Sequence, residues 1–302
     1  MFDTAPPADL FDLGPAGSPE GRRGNASDKD LQRADGSGRI VLGGSEKGTR
    51  IMDVFEQSPI RIMFPKAAGG AVEEAVFINT AGGIAGGDRL GFDVTALANA
   101  SIAVTSQAAE KVYRALNEPA RVSTKLKACE ASKLAWLPQE TIIFNWSRLS
   151  RKTEIELSSG AELLALEWLV LGRAAHGEAM AGGHISDSWR VKYDGRLIWA
   201  DTFRATDETF PHLYRKALLS DCKAIGTLVY FGPNLDARLE LLRDLAPSVG
   251  CHCAVTSVGG LIVARFAAVV SCDLELALRS FLQQFSRECG PGPFRVPTMW
   301  SC

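Results

Sequence analysis

The sequence predicts a mainly β protein: a multi-stranded, multi-layer β body followed by a small α+β end. Three observations carry this. Apolar and polar residues alternate with period two again and again between about residues 50 and 205. Gly, Asn and Asp cluster between those runs, as turns require. Beyond Asp207 the period changes, and helical spacing alternates with short strands.

Residues 1–48 are rich in Pro, Gly, Asp, Arg and Ser without sustained period, and read as a flexible tail ahead of a body spanning 49–207. Ile60-Arg61-Ile62-Met63-Phe64 is a strand closed by Pro65, and Gly69-Gly70 marks a turn. Ala75-Val76-Phe77-Ile78 is a second strand. Asn79 to Arg89 then forms a loop with four glycines, Gly82, Gly83, Gly86 and Gly87, which open φ > 0 and close approach to the backbone. Leu90, Phe92, Val94 and Ala96 alternate with polar neighbours, as do Val122, Thr124, Leu126 and Ala128, and the residues of Arg151–Leu157. Each such run is a strand dry on one side and wet on the other. Leu163–Leu171 is apolar on all sides apart from Glu167 and short enough for a strand covered on both faces. Trp189, Val191 and Tyr193 lead to Asp194-Gly195, the pair that a two-residue hairpin turn favours, and Leu197 and Trp199 resume beyond it.

The C-terminal part, 208–302, reads as β-α-β-β-α packed on the body. Phe210-Pro211 opens a helix through Leu218. Thr227–Phe231 is a strand, and Asn234 caps a helix over Leu235–Leu245 with one leucine face. Strands at Cys253–Val258 and Leu261–Ala267 flank Gly259-Gly260, and Asp273 opens a last helix from Leu274 to about Arg287.

Composition bounds the function. With 46% apolar and 23% charged residues the 302-residue chain folds, and a net charge of −2 gives no broad basic face for nucleic acid. No apolar run spans a bilayer, and no basic segment followed by an apolar one marks a secretory signal. Seven cysteines without paired spacing read as free thiols in a reducing cytoplasm. Cys251-His252-Cys253 is the one local Cys/His cluster, and no second ligand pair with zinc spacing follows it.

The glycine loop does not cradle phosphate. Asp88 and Arg89 follow Gly87 where Lys and Ser or Thr would be needed, and the dinucleotide spacing fails too. The loop is either a hairpin needed for its geometry or part of a site. His176, His184, His212 and His252 stand apart, with no catalytic frame around them, so no residue is assigned a catalytic role. Carboxylates in unusual company are the stronger signal: Asp88 after two glycines, Glu167 in its apolar run, Glu178 after Gly177, and Asp201 past a tryptophan strand. They either pair internally, with Lys111 and Arg173 as partners, or line a polar path that holds a divalent cation weakly. A hydrolase using Glu167 or Asp201 as acid and base is the remaining alternative.

Four motifs in order carry a family resemblance: Asn79–Leu90; Thr105-Ser106-Gln107-Ala108-Ala109-Glu110-Lys111-Val112-Tyr113-Arg114; Trp136-Leu137-Pro138-Gln139-Glu140-Thr141-Ile142-Ile143-Phe144; and Leu171-Gly172-Arg173 with Gly177-Glu178. Trp189-Arg190 and Gly195-Arg196-Leu197 continue it. The chain resembles the urease accessory proteins of the UreD (UreH) family, closely over about 50–205 and loosely beyond. The tail and the Cys-His-Cys cluster lie outside the pattern. The resemblance implies an elongated, mostly β, non-catalytic maturation factor in the cytoplasm. Its expected partners are the urease apoprotein and UreF, with UreG reached through UreF and room for a homodimer within that complex. No cofactor is expected to be tightly bound; nickel(II) is in transit. By position, Asp88, Lys111, Glu167 and Asp201 match polar places associated with a nickel route, and Glu178 lies in the matching Gly-Glu motif. Gly82, Gly83, Gly86, Gly87, Tyr113, Pro138 and Arg173 are its motif residues. Apolar surface for UreF is expected at Phe210–Leu219 and at the Trp300 end.

Overall fold

The computed structural model describes residues 33–66, 73–173, 177, 178, 180–290 and 292–301. Arg33–Cys302 makes one compact unit. It is mainly β, with its helices near the C-terminus. Most of the expected tail and the Gly69-Gly70 turn lie outside the described residues.

Among the described residues the strands form a seven-stranded and a ten-stranded sheet. From β4 (Glu74–Asn79) onward the chain coils between them. β4, β6 (Ser101–Ser106), β9 (Lys133–Trp136) and β12 (Glu162–Leu171) lie side by side and parallel in the larger sheet. The strands between them, β5 (Arg89–Ala96), β8 (Ala120–Ala128), β11 (Arg148–Leu157) and β13 (His184–Tyr193), do the same in the smaller one. Inward side chains of both sheets, such as Val94, Leu126 and Ile155 with Ile102, Leu134 and Leu163, share one core.

Parallel sheets usually need cover on both faces. Here one face stays wet because its charges alternate across the strands. Asp93 lies opposite Lys125, Lys125 opposite Glu154, and Glu154 opposite Arg190. Each charge has an opposite neighbour, which a solvated sheet face requires.

The first correction concerns the tail. Asp35–Ser45 is a strand, β1, parallel to β5 and antiparallel to β2 (Gly48–Gln57). Its glycines resemble linker composition, yet they are needed for closeness. A Cβ at Gly38 would collide with Phe77 and Ile60, and one at Gly44 with the Asn99 backbone.

Leu163–Leu171 is the strand expected. Leu163, Ala165 and Leu169 face the core between the sheets, while Leu164, Leu166 and Trp168 face the helices. The hairpin at Asp194-Gly195 joins β13 to β14 (Arg196–Ala205), with φ of 47° and 77° at the two turn residues. Both positive values are what the tight turn demands.

The C-terminal order β15 (Ala224–Phe231), α1 (Leu235–Leu245), β16 (His252–Val258), β17 (Leu261–Ala268) and α2 (Ser271–Cys289) is as expected. It is not a separate end piece, because β15 pairs along the whole length of β12 and so extends the larger sheet. In α2, Leu274, Ala277, Leu278, Phe281, Leu282 and Phe285 are buried at helical spacing. Asn234 sits at the start of α1 but makes no side-chain cap.

The helix expected from Phe210 is a single 3-10 turn, Phe210–His212, followed by further turns. Its hydrogen bonds run three residues back, from Leu213 to Phe210 and from Leu218 to Arg215. Pro211 starts the turn and burial of Phe210 and Leu213 holds it, so no longer apolar stripe develops. Trp300 is not exposed either. It is buried against Trp168, its indole N–H donates to the Leu137 carbonyl at 3.0 Å, and Gln139 holds the Met299 carbonyl.

Trp300→Ala would open a large cavity and strand that carbonyl. The expected cost is about 3–5 kcal/mol, read as a lowered midpoint in urea unfolding.

Candidate functional site

The glycine loop is a crossing between sheets, not a hairpin: it carries the chain from β4 in one sheet to β5 in the other. Its middle grips the short strand β7 (Glu110–Val112). The Ile84 amide donates to the Lys111 carbonyl at 2.7 Å, and the Tyr113 amide donates back to Ile84 at 2.9 Å. The Tyr113 hydroxyl donates to the Gly82 carbonyl at 2.9 Å, and its ring lies where a Cβ on Gly83 would be. Gly86 is pressed against Ala115 and the Glu118 carbonyl, and Gly87 has a positive φ of 88°.

Asp88 closes this loop. One carboxylate oxygen accepts from the Ala85 amide at 2.7 Å and the other from the Ala34 amide at 2.8 Å. Backbone donors occupy both oxygens, and the side chain is buried.

Glu167 has a different setting. It projects from β12 into the interior, where Oε1 accepts from the Trp136 indole at 2.8 Å and Oε2 from Arg151 Nη1 at 2.6 Å. Arg151 also donates to Thr141 Oγ1 at 3.1 Å, and grips Asp187 with two bonds of 2.9 and 2.7 Å. All three charged groups are buried. Burial disfavours the Glu167 carboxylate and outweighs the attraction of Arg151, so its pKa is raised. Burial also opposes the Arg151 charge, but Asp187 and Glu167 more than offset it, and the guanidinium titrates above its usual range.

Two cavities border this triad. One of about 430 Å³ is lined by Glu167, Asp187, Phe203, His252 and Arg265 among others. The other, about 40 Å³, is lined by Glu110, Trp136, Thr141, Arg151 and Glu167. Glu167 borders both. Burial raises the pKa of Glu110, tempered by the hydrogen bond it accepts from Asn79 at 3.0 Å.

The remaining carboxylates pair near the surface. Glu178 takes a forked Arg173 at 2.8 and 3.1 Å, and that hydrogen bonding lowers its pKa. Asp201 accepts from Arg265 at 2.5 Å. Lys111, expected as a partner, makes no ion pair among the described residues; the cation that holds the buried carboxylates is Arg151, which the sequence reading does not single out. Pro138 contributes its carbonyl, which accepts from the Trp168 indole at 3.3 Å.

The structure therefore does not gather Asp88, Glu167, Glu178 and Asp201 together. No group of three or more metal-ligating side chains occurs among the described residues. Cys251 and Cys253 pack against the helical core, and burial pushes the Cys253 thiol up to about 12, away from the thiolate a metal needs. His176 lies outside the described residues.

The two-sheet coil thus holds at its centre a buried triad, Arg151 with Glu167 and Asp187, whose charges satisfy one another. Residues 34–301 match the family described as UreD urease accessory protein. A urease accessory protein UreD of Chelativorans sp. (strain BNC1) is 37% identical over 278 residues, covering 92% of this chain and 97% of the relative. Another, of Xanthobacter autotrophicus (strain ATCC BAA-1158 / Py2), is 40% identical over 254 residues, covering 84% and 87%. A urease accessory protein UreD 1 of Brucella ovis (strain ATCC 25840 / 63/290 / NCTC 10512) is 35% identical over 279 residues, covering 92% and 97%. The chain belongs to the UreD family of urease accessory proteins.

Arg151→Met would leave two buried carboxylates uncompensated, at an expected cost of about 3–5 kcal/mol. R151M/E167Q/D187N, which removes all three charges, recovers most of this in urea unfolding. For Glu110 the folded-state pKa lies above 4.5. The native state therefore holds its proton more tightly, and stability is lost as pH rises from that value through the raised one. Glu110→Gln removes the loss: thermal melts of variant and parent converge at acidic pH and separate toward neutrality, with the variant higher.

Proposed function

We propose that this chain serves urease maturation as a non-catalytic cytoplasmic chaperone. In this reading it binds the urease apoprotein and UreF, meets UreG through UreF, and passes nickel(II) to the urease active site. The family assignment supports the maturation role. No helix of the described residues is long and apolar enough to cross a membrane.

One observation favours delivery through the interior: Glu167 lines two separate cavities that border the triad. Carboxylate oxygens suit a divalent cation, and a site without a full ligand set holds it weakly enough to let it go. The residues carrying the route are then Glu167 and Asp187, with His252 on the wall of the larger cavity. Asp88 and Glu178 contribute less, because backbone amides and Arg173 already hold their oxygens.

A second reading has its own support. Each of Asp88, Glu167, Glu178 and Asp201 is satisfied internally, as a scaffold that only positions urease and UreF would require. R151M/E167Q/D187N separates the two, since it removes both carboxylate charges without stranding a buried guanidinium. Under delivery, the variant co-purifies with urease subunits and UreF, while the nickel content and activity of urease fall severalfold. Undiminished nickel loading refutes delivery and leaves the scaffold.

A further inference from the structure

The motifs converge on a surface away from Glu167 and Asp187, reached by only one residue of the expected nickel route, Lys111. β7 and β10 (Thr141–Ile143) pair with each other, and β10 pairs with the end of β12. In that register Lys111, Ile142 and Val170 stand in one row across three strands. Phe144 and Tyr113 extend the row with an edge-to-face contact of 5.2 Å. Arg173 stacks on Phe144 at 4.1 Å. Opposite them lie Val269 and Val270, 43% and 48% exposed, at the start of α2. Together with Lys223 these residues enclose an open groove of about 780 Å³.

Its chemistry is one-sided. The floor is apolar, and no carboxylate among the described residues lines it. Arg173 is already paired with Glu178, but neither Lys111 nor Lys223 makes an ion pair among the described residues. The N-terminal end of α2 carries Asp273 in its first turn, which offsets the helix dipole, so the two lysines supply the positive side. The volume lies high in the range of roughly 300–1,000 Å³ typical of ligand pockets, far more than a lone ion needs. Tyr113 is tied to Gly82, so the glycine loop holds one wall in place.

From this charge and shape we infer that the groove docks an extended segment of a partner protein, with acidic side chains flanking a large apolar one. The acidic groups meet Lys111 and Lys223, and the apolar group fills the space between Ile142, Val170 and Val270. The inference extends the maturation role, but its test reads peptide binding and is independent of nickel delivery.

The probe is the fluorescein-labelled hexapeptide EDLFDE, titrated with the full chain and followed by anisotropy, with KRLFRK and EDSSDE as controls. The parent chain is expected to bind EDLFDE alone, more weakly as salt rises. K111E/K223E should weaken binding about tenfold or more, equivalent to about 1.4 kcal/mol. V270D should abolish binding while the circular dichroism spectrum is kept and the melting temperature does not fall, since Asp suits this N-cap position of α2. Equal binding by K111E/K223E, or equal binding of either control peptide, overturns the inference. So does full displacement by inorganic phosphate, which would make the groove an anion site. A concentration-dependent dimer that V270D dissolves would assign it instead to a second copy of this chain.

Discussion

Arg151 is the constraint on which the interior depends. It reaches sideways to Asp187 within its own sheet and across the core to Glu167 in the other. Taking three charges out of water is costly, and mutual attraction alone rarely repays it. The surrounding donors and acceptors complete the balance here, with Trp136 on Glu167 and Thr141 on Arg151. The triad is therefore weak evidence for stability and strong evidence for specificity. A one-residue slip of β11 would turn Arg151 to solvent and leave two carboxylates stranded.

The coil of the chain makes this arrangement reachable. Because successive strands alternate between sheets, residues far apart in sequence face each other at the same level. Arg151, Glu167 and Asp187 come from three consecutive strands in this sense. The same coil leaves short strands such as β7 and β10 at the margin, where the glycine loop and Tyr113 lock them. Interior triad and surface groove are thus two consequences of one winding pattern, and the motif residues divide between them.

Much of this was legible in the sequence where the signal is local. Period-two runs gave the strands, Asp194-Gly195 the hairpin, and leucine and phenylalanine spacing the helices. Glu167 was marked as costly from its apolar neighbours alone. Its partner was in principle readable too, since Arg151 is in phase with Thr153, Ile155 and Leu157, the buried set of its strand. Arginine in an alternating run is ordinarily outward, which masks the phase. The pairing itself depends on sheet order, which periodicity does not contain. β1 was hidden for another reason. Its glycines imitate a linker, and only the neighbours of Gly38 and Gly44 show that they serve contact.

Under the delivery reading, the position of Arg151 has a consequence for how the interior works. A guanidinium between Glu167 and Asp187 both occupies their oxygens and repels a divalent cation. A metal ion and this ion pair therefore compete for the same carboxylates. Freeing Glu167 in an isolated chain would expose a buried, unpaired charge at a cost of several kcal/mol. That cost is met only if something binds the opened arrangement more tightly than the closed one. A partner seated on the protein can supply that difference, whereas a weakly held ion cannot. The conducting species is then the assembled complex, and the free chain is its closed form. Closure of this kind suits a carrier of a reactive metal, because the path opens only where a recipient is already in place.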